Sequence, residues 1–132
     1  MRLYPPVKVF IRQAREADTI DGFHIPTGSL IVISPYITHR HPDLWPDPGH
    51  FDPQRFSPEQ AEHRSRYAYI PFSAGPRICL GDNFAMLEAS IVLTMVTRRY
   101  RLRLVPGHAV IPSMEVKTRP LYGMPMTLHP RT

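Results

Sequence analysis

The sequence predicts an α+β fold with one principal helix and several short strands. Three observations lead there. The stretch "DNFAMLEASIVLTMVTRRY", residues 82–100, has no proline or glycine and is apolar around most of its circumference, the pattern of a buried helix. Short β-branched and aromatic runs near both ends of the chain are punctuated by turn residues, the pattern of hairpins. Proline fills 16 of the 132 positions, more than twice its usual share of about 5%, so much of the rest is irregular yet ordered.

Taken in order, residues 1–34 carry prolines at Pro5 and Pro6, then "VKVFIRQA" and "DTIDGFHIPTGSLIVIS". Asp21-Gly22 and Pro26-Thr27-Gly28 divide these into strand, hairpin turn, strand, turn and strand. Residues 35–71 show no lasting period and read as a long meander, with a helical turn near Tyr36 to Arg40. A meander of this length in a compact domain implies a functional surface or a partner to pack on. Residues 72–81 form a loop around the chain's only cysteine, Cys79. In the helix of residues 82–100, Asp82 is expected to cap free amides, while Arg98 and Arg99 suit the negative pole of the helix dipole. Glu88, inside that apolar stretch, is expected to be partnered, because an unpaired buried carboxylate is costly. Residues 101–132 return to strands in "RLRLV" and "MPMTLHP", joined through Gly107 and Gly123.

Composition narrows the function classes. The length fits one domain, and no apolar run approaches the roughly 20 residues of a membrane-spanning helix. The opening "MRLYPPVKVF" lacks the layout of a secretory signal. One cysteine forms no internal disulfide and suits a reducing cytoplasm, so the expectation is a soluble, cytoplasmic protein. It also excludes zinc and iron–sulfur sites that need several thiolates from one chain. The net charge of +5 arises from scattered residues, which argues against nucleic-acid binding and fits a solvated surface or a patch for an acidic protein. His39 and His41 lack a third ligand nearby and read as meander surface rather than a metal site.

Cys79 just precedes the expected helix, whose positive end favours a thiolate. Such a thiolate attacks a substrate or binds a metal; the plainer alternative is a buried structural cysteine. A papain-like nucleophile needs a positioned histidine base, and none of the seven histidines lies in a cysteine-protease signature.

The neighbours of Cys79 decide among these. Phe72, Gly75, Arg77, Cys79 and Gly81 fill all five fixed positions of FxxGxRxCxG, a match expected by chance about once in 10⁵ chains of this length. This resembles the haem-ligand loop of the cytochrome P-450 superfamily. That family is the general example of haem held by a cysteine thiolate, so the chemistry comes with the resemblance. The resemblance implies that Cys79 is the proximal axial ligand of iron in haem b, with Phe72, Gly75, Arg77, Gly81 and Ala85 as further haem contacts. Gly75 would allow a positive-φ turn, Gly81 a close passage under the porphyrin, Arg77 a charge for a propionate, and Phe72 a shield for the sulfur.

"FDPQRF" resembles the family's PxRF element through Pro53, Arg55 and Phe56. "MRLYPP" resembles the end of its ExxR helix, which makes Arg2 and Arg55 a structural lock for the meander and puts the partner glutamate before Met1. The chain therefore resembles the carboxy-terminal part of the mostly helical P-450 fold, with hairpins, meander, Cys loop and one long buried helix. The implied activity is a monooxygenase that inserts an oxygen atom from O₂ into an apolar substrate, with electrons ultimately from NAD(P)H. These come through a redox partner of ferredoxin or flavin reductase type, docked with help from Arg40, Arg64 and Arg66. The strand after "RLYPP" and the turn before "KTRP" nominate Val7, Val9, Met114 and Val116 for the substrate pocket, against ordinary strand core as the alternative. The oxygen-handling acid and alcohol of the family lie upstream, so no catalytic residue is expected in this chain; Asp18-Thr19 follows "RLYPP" and is not that pair. A competing expectation is a non-catalytic fragment or haem-binding module whose helix lacks its cover.

Overall fold

The computed structural model describes residues 1–113 and 115–131, arranged as two compact units, Met1–Ser73 and Ala74–Thr132.

In the first unit, residues 1–6 are irregular. The helix end expected at Arg2 is not formed, because Pro5 and Pro6 follow at once and a helix needs a full hydrogen-bonded turn. Strand β1 (Phe10–Gln13) pairs antiparallel with β4 (Leu30–Ile33), Phe10 facing Ile33 and Gln13 facing Leu30. Between them β2 (Asp18–Ile20) and β3 (Phe23–Ile25) form a second antiparallel pair. Asp21 and Gly22, at φ 50° and 83°, make its two-residue turn; both central residues are left-handed, as a type I′ turn requires. The hairpins thus follow the expectation.

The meander is more helical than its pattern suggested. It holds α1 (Pro35–Thr38), a 3₁₀ turn at Pro53–Phe56, α2 (Pro58–Glu62) and a 3₁₀ turn at Arg66–Ala68. Three of these begin with a capping side chain followed by proline. Ser34, Asp52 and Ser57 accept hydrogen bonds from the amides of Ile37, Gln54 and Gln60, and Pro35, Pro53 and Pro58 fill positions whose missing N–H costs nothing. The prolines that looked like breakers are helix starters.

These short pieces close on a small core of Trp45, His39, Pro5, Pro35, Ala68 and Ile70. Trp45 is 1% exposed and its indole N–H donates to the Ala68 carbonyl at 3.1 Å. Phe56 and Tyr69 pack edge to face, 4.9 Å apart, beside it. His39 is wholly buried rather than on the surface, since it joins the two ends of the meander: its Nε2 accepts from the Ile70 amide at 2.9 Å. His41 is half exposed, 3.9 Å from Asp43.

In the second unit, a 3₁₀ turn at Gly75–Arg77 leads to α3 (Asp82–Arg99), which runs directly into β5 (Tyr100–Leu104). Strand β5 pairs antiparallel with β6 (Met126–Pro130), Leu102 opposite Leu128. Asp82 meets a free amide of the first turn as expected, its carboxylate accepting from the Asn83 N–H at 2.6 Å, although Gly81 is the capping position. The expected burial of α3 is not met. No residue of α3 is buried: Phe84, Leu87 and Leu93 are exposed, and so is Glu88, which needs no partner there. A helix apolar on all sides needs neighbours on several, and the described second unit supplies one two-stranded hairpin. No helix among the described residues is long and apolar enough to cross a membrane.

Burial depresses the His39 pKa from 6.5 to about 4; a hydrogen bond to the Arg2 backbone opposes it, and the charges of the amino terminus, Arg2 and Arg40 add smaller lowering contributions. Because Nε2 is an acceptor, the neutral ring carries its proton on Nδ1, and a second proton must displace the Ile70 amide. The folded state therefore favours the neutral ring. Its stabilisation is complete above about pH 6.5 and is lost as pH falls toward 4, at most roughly 3 kcal/mol in all. Urea unfolding across this range should show that slope in the native protein and a flatter one in His39→Gln, which keeps an acceptor but does not titrate.

Candidate functional site

The loop around Cys79 belongs to the second unit. Gly75 has φ +72°, a conformation in which an added Cβ meets no atom within 4 Å, so glycine is needed there for the backbone alone. The turn closes with the Ile78 amide donating to the Gly75 carbonyl at 3.1 Å. This delivers Cys79 two residues before the Gly81 cap. The thiol is exposed and free of any disulfide, so the reading of a buried structural cysteine fails. A Cβ built on Gly81 would stand 4.0 Å from the Cys79 Sγ; its absence keeps the space beside the sulfur open. Arg77 and Ala85 are exposed, and the Ala85 amide makes the first hydrogen bond of α3, to Gly81, at 2.9 Å.

Among the described residues, no cluster of three or more His, Cys, Asp or Glu side chains could hold a bare metal ion. One exposed thiol with open space beside it instead fits a metal that brings its other ligands with it, as iron in a macrocycle does. Phe72, next to last in the first unit, is half buried within a Pro71–Ser73 bridge whose Ser73 hydroxyl accepts from Arg12 at 2.7 Å.

The lock candidates lie in the first unit. Arg2 is 5% exposed; its Nη1 donates to the carbonyls of His39 at 2.8 Å and Pro48 at 2.7 Å, and its Nη2 to that of His50 at 2.7 Å. Its guanidinium also lies 5.0 Å from the centre of the Trp45 ring. Arg55 donates to the Asp47 carbonyl at 3.0 Å, while its buried Nε has no hydrogen-bond partner and only the Asp52 carboxylate, 3.9 Å away, for counter-charge. Arg64 stacks over Trp45 and Phe56 and donates to the Arg55 carbonyl. Burial, then the charges of Arg55, Arg40 and Arg64, hold Arg2 below the usual guanidinium value, with Asp47 opposing; Arg64 is lowered by burial and by Arg55. Sequence reasoning missed Arg64 and Trp45 as members of this cluster.

Of the docking candidates, Arg40 packs 3.9 Å from the Tyr36 ring centre and donates to the Leu3 carbonyl, and Arg64 is engaged as described; Arg66 is exposed beside Tyr67. Val7 is exposed and Val9 half buried, both ahead of β1, and Val116 is exposed. Met114 lies outside the described residues.

The family model described as cytochrome P-450 matches residues 1–126. The chain belongs to that family. Cyclooctatin synthase of Streptomyces melanosporofaciens is 40% identical over 127 residues, covering 95% of this chain and 28% of its own length. Cytochrome P-450 4B1 of Rattus norvegicus is 43% identical over 130 residues, covering 98% of this chain and 25% of its own. The solved structure of retinoic acid bound cyanobacterial CYP120A1 superposes with a TM-score of 0.93 at 37% identity, over 98% of this chain and 30% of that one. The chain thus spans between about a fifth and a third of the P-450 proteins it matches. Members of the family use haem and electrons drawn from NAD(P)H through redox partners.

Two substitutions test these placements. Gly75→Ala should cost roughly 1–2 kcal/mol in urea unfolding through backbone strain alone, and Gly75→Asn distinctly less; equal losses would contradict the left-handed turn. Arg2→Gln should destabilise the first unit by about 3–5 kcal/mol and open residues 39–50 to limited proteolysis, because three carbonyls lose a charged donor.

Proposed function

We propose that this chain is the haem-binding portion of a cytochrome P-450 monooxygenase, with the Cys79 thiolate as proximal ligand of haem b iron. The exposed, unpaired Cys79 at the head of an 18-residue helix is the observation that carries this reading. When bound, the haem supplies the O₂ chemistry by which an oxygen atom enters an apolar substrate, with electrons from a partner protein.

The chain's own part is holding and tuning. Cys79 stands exposed just ahead of α3, two residues before its Gly81 cap. Gly75 aims the loop, Gly81 leaves room beside the sulfur, and the small Ala85 admits a flat ring close to the helix. Arg77, exposed and unpaired among the described residues, suits a propionate. Arg2 and Arg55 lock the meander, and the unpartnered Nε of Arg55 supports a carboxylate contributed from upstream sequence. Arg66 is the strongest of the three candidates for steering an acidic electron donor, since Arg40 and Arg64 are committed to internal packing. For the substrate we propose an apolar molecule, with Val7, Val9, Met114 and Val116 as this chain's candidates to meet it.

The exposed apolar residues of α3 favour a second reading for the 132 residues by themselves. In isolation they form a haem-binding segment without turnover. Monooxygenase activity in the purified 132-residue chain would overturn that.

The carbon monoxide complex of the reduced full-length protein should show the red-shifted band of thiolate ligation. Cys79→Ala should abolish it. Retention of the band in Cys79→Ala would overturn the assignment.

A further inference from the structure

Residues 74–132 hold eight of the 16 Lys and Arg side chains but three of the 11 acids, so the whole net charge of +5 resides there. The β5–β6 hairpin concentrates it on one face. In this register Tyr100, Leu102 and Leu104 stand opposite Pro130, Leu128 and Met126, giving one apolar face. On the other, Arg101 stands opposite His129 and Arg103 opposite Thr127; Arg131, two residues beyond His129, continues that face, held by its amide donating to the Arg99 carbonyl at 2.8 Å. Among the described residues Arg101, Arg103 and Arg131 have no acidic partner. The acid nearest the end of the chain, Glu115, is paired with Arg119 at 3.0 Å.

Arg101 and Arg103 are like charges on one face of the strand with Arg131 beyond them, so an anion lying on this face relieves their repulsion. The face is also concave, a cleft of about 360 Å³ lined by Arg101, Arg103, His129, Pro130 and Arg131. That size suits a small ligand. Guanidinium groups roughly 7 Å apart along one strand, each able to fork onto two oxygens, match an anion with several phosphoryl groups better than a single carboxylate.

We propose that the Arg101, Arg103, His129 and Arg131 face of the β5–β6 hairpin is a binding site for a polyphosphate group, carried by a small soluble metabolite or by a phosphorylated lipid headgroup. The site is separate from the Cys79 loop in sequence and in chemistry.

The test uses the haem-loaded full-length protein and inorganic tripolyphosphate, followed by calorimetric titration. Tripolyphosphate should bind at low salt and raise the unfolding temperature, and Arg101→Gln/Arg103→Gln should weaken binding at least tenfold with haem content unchanged. Without ligand, the same double variant should unfold at a higher temperature than the native protein in low salt, because the repulsion is gone. No binding, or equal binding by the variant, overturns the site. A second arm uses vesicles of phosphatidylcholine with 5% phosphatidylinositol bisphosphate. Displacement from them by free tripolyphosphate supports the headgroup as source, and no vesicle binding beside tight tripolyphosphate binding supports a soluble one. Vesicle binding that tripolyphosphate does not displace overturns the proposal.

Discussion

The buried guanidinium of Arg2 organises the first unit. A segment rich in proline has few ladder hydrogen bonds of its own, so its carbonyls need donors from elsewhere. Arg2 supplies them to His39, Pro48 and His50 at once, from a position next to the Trp45 ring. Trp45 and His39 then tie the far end of the meander through Ala68 and Ile70. Each of the three side chains bonds backbone 23 to 48 residues away in sequence, which is how an irregular stretch becomes a rigid one.

That arrangement concentrates positive charge. Arg2, Arg55 and Arg64 share a small volume with Asp47 and Asp52 as the nearby acids, and the guanidiniums are stabilised by carbonyls and aromatic faces more than by ion pairs. The orphaned Nε of Arg55 is where this balance is incomplete. Arg55, one of the buried side chains with an unmet hydrogen bond in the unit, is also one that the PxRF motif singles out. In the second unit the same logic applies to the Arg101 and Arg103 face, where among the described residues no acid is paired with the charge.

Much of this was legible from the residues. Asp21-Gly22 announced a hairpin turn because few other pairs tolerate two left-handed positions, and Gly75 announced a positive-φ turn ahead of Cys79. The helical turns of the meander were readable too, in Ser34-Pro35, Asp52-Pro53 and Ser57-Pro58, but only to an eye that takes cap plus proline as a start signal. His39 was misjudged because its burial depends on Arg2 and Ile70, more than 30 residues away on either side. The apolar circumference of α3 was read as burial. It records what the helix is suited to meet, and the described chain leaves that surface open.

The central claim is that Cys79 is bound to haem iron, and the most direct test is iron-edge X-ray absorption on the haem-loaded full-length protein. A sulfur atom bonded to iron in the native protein and missing from Cys79→Ala is the predicted result. A spectrum with only nitrogen or oxygen ligands in the native protein would contradict it.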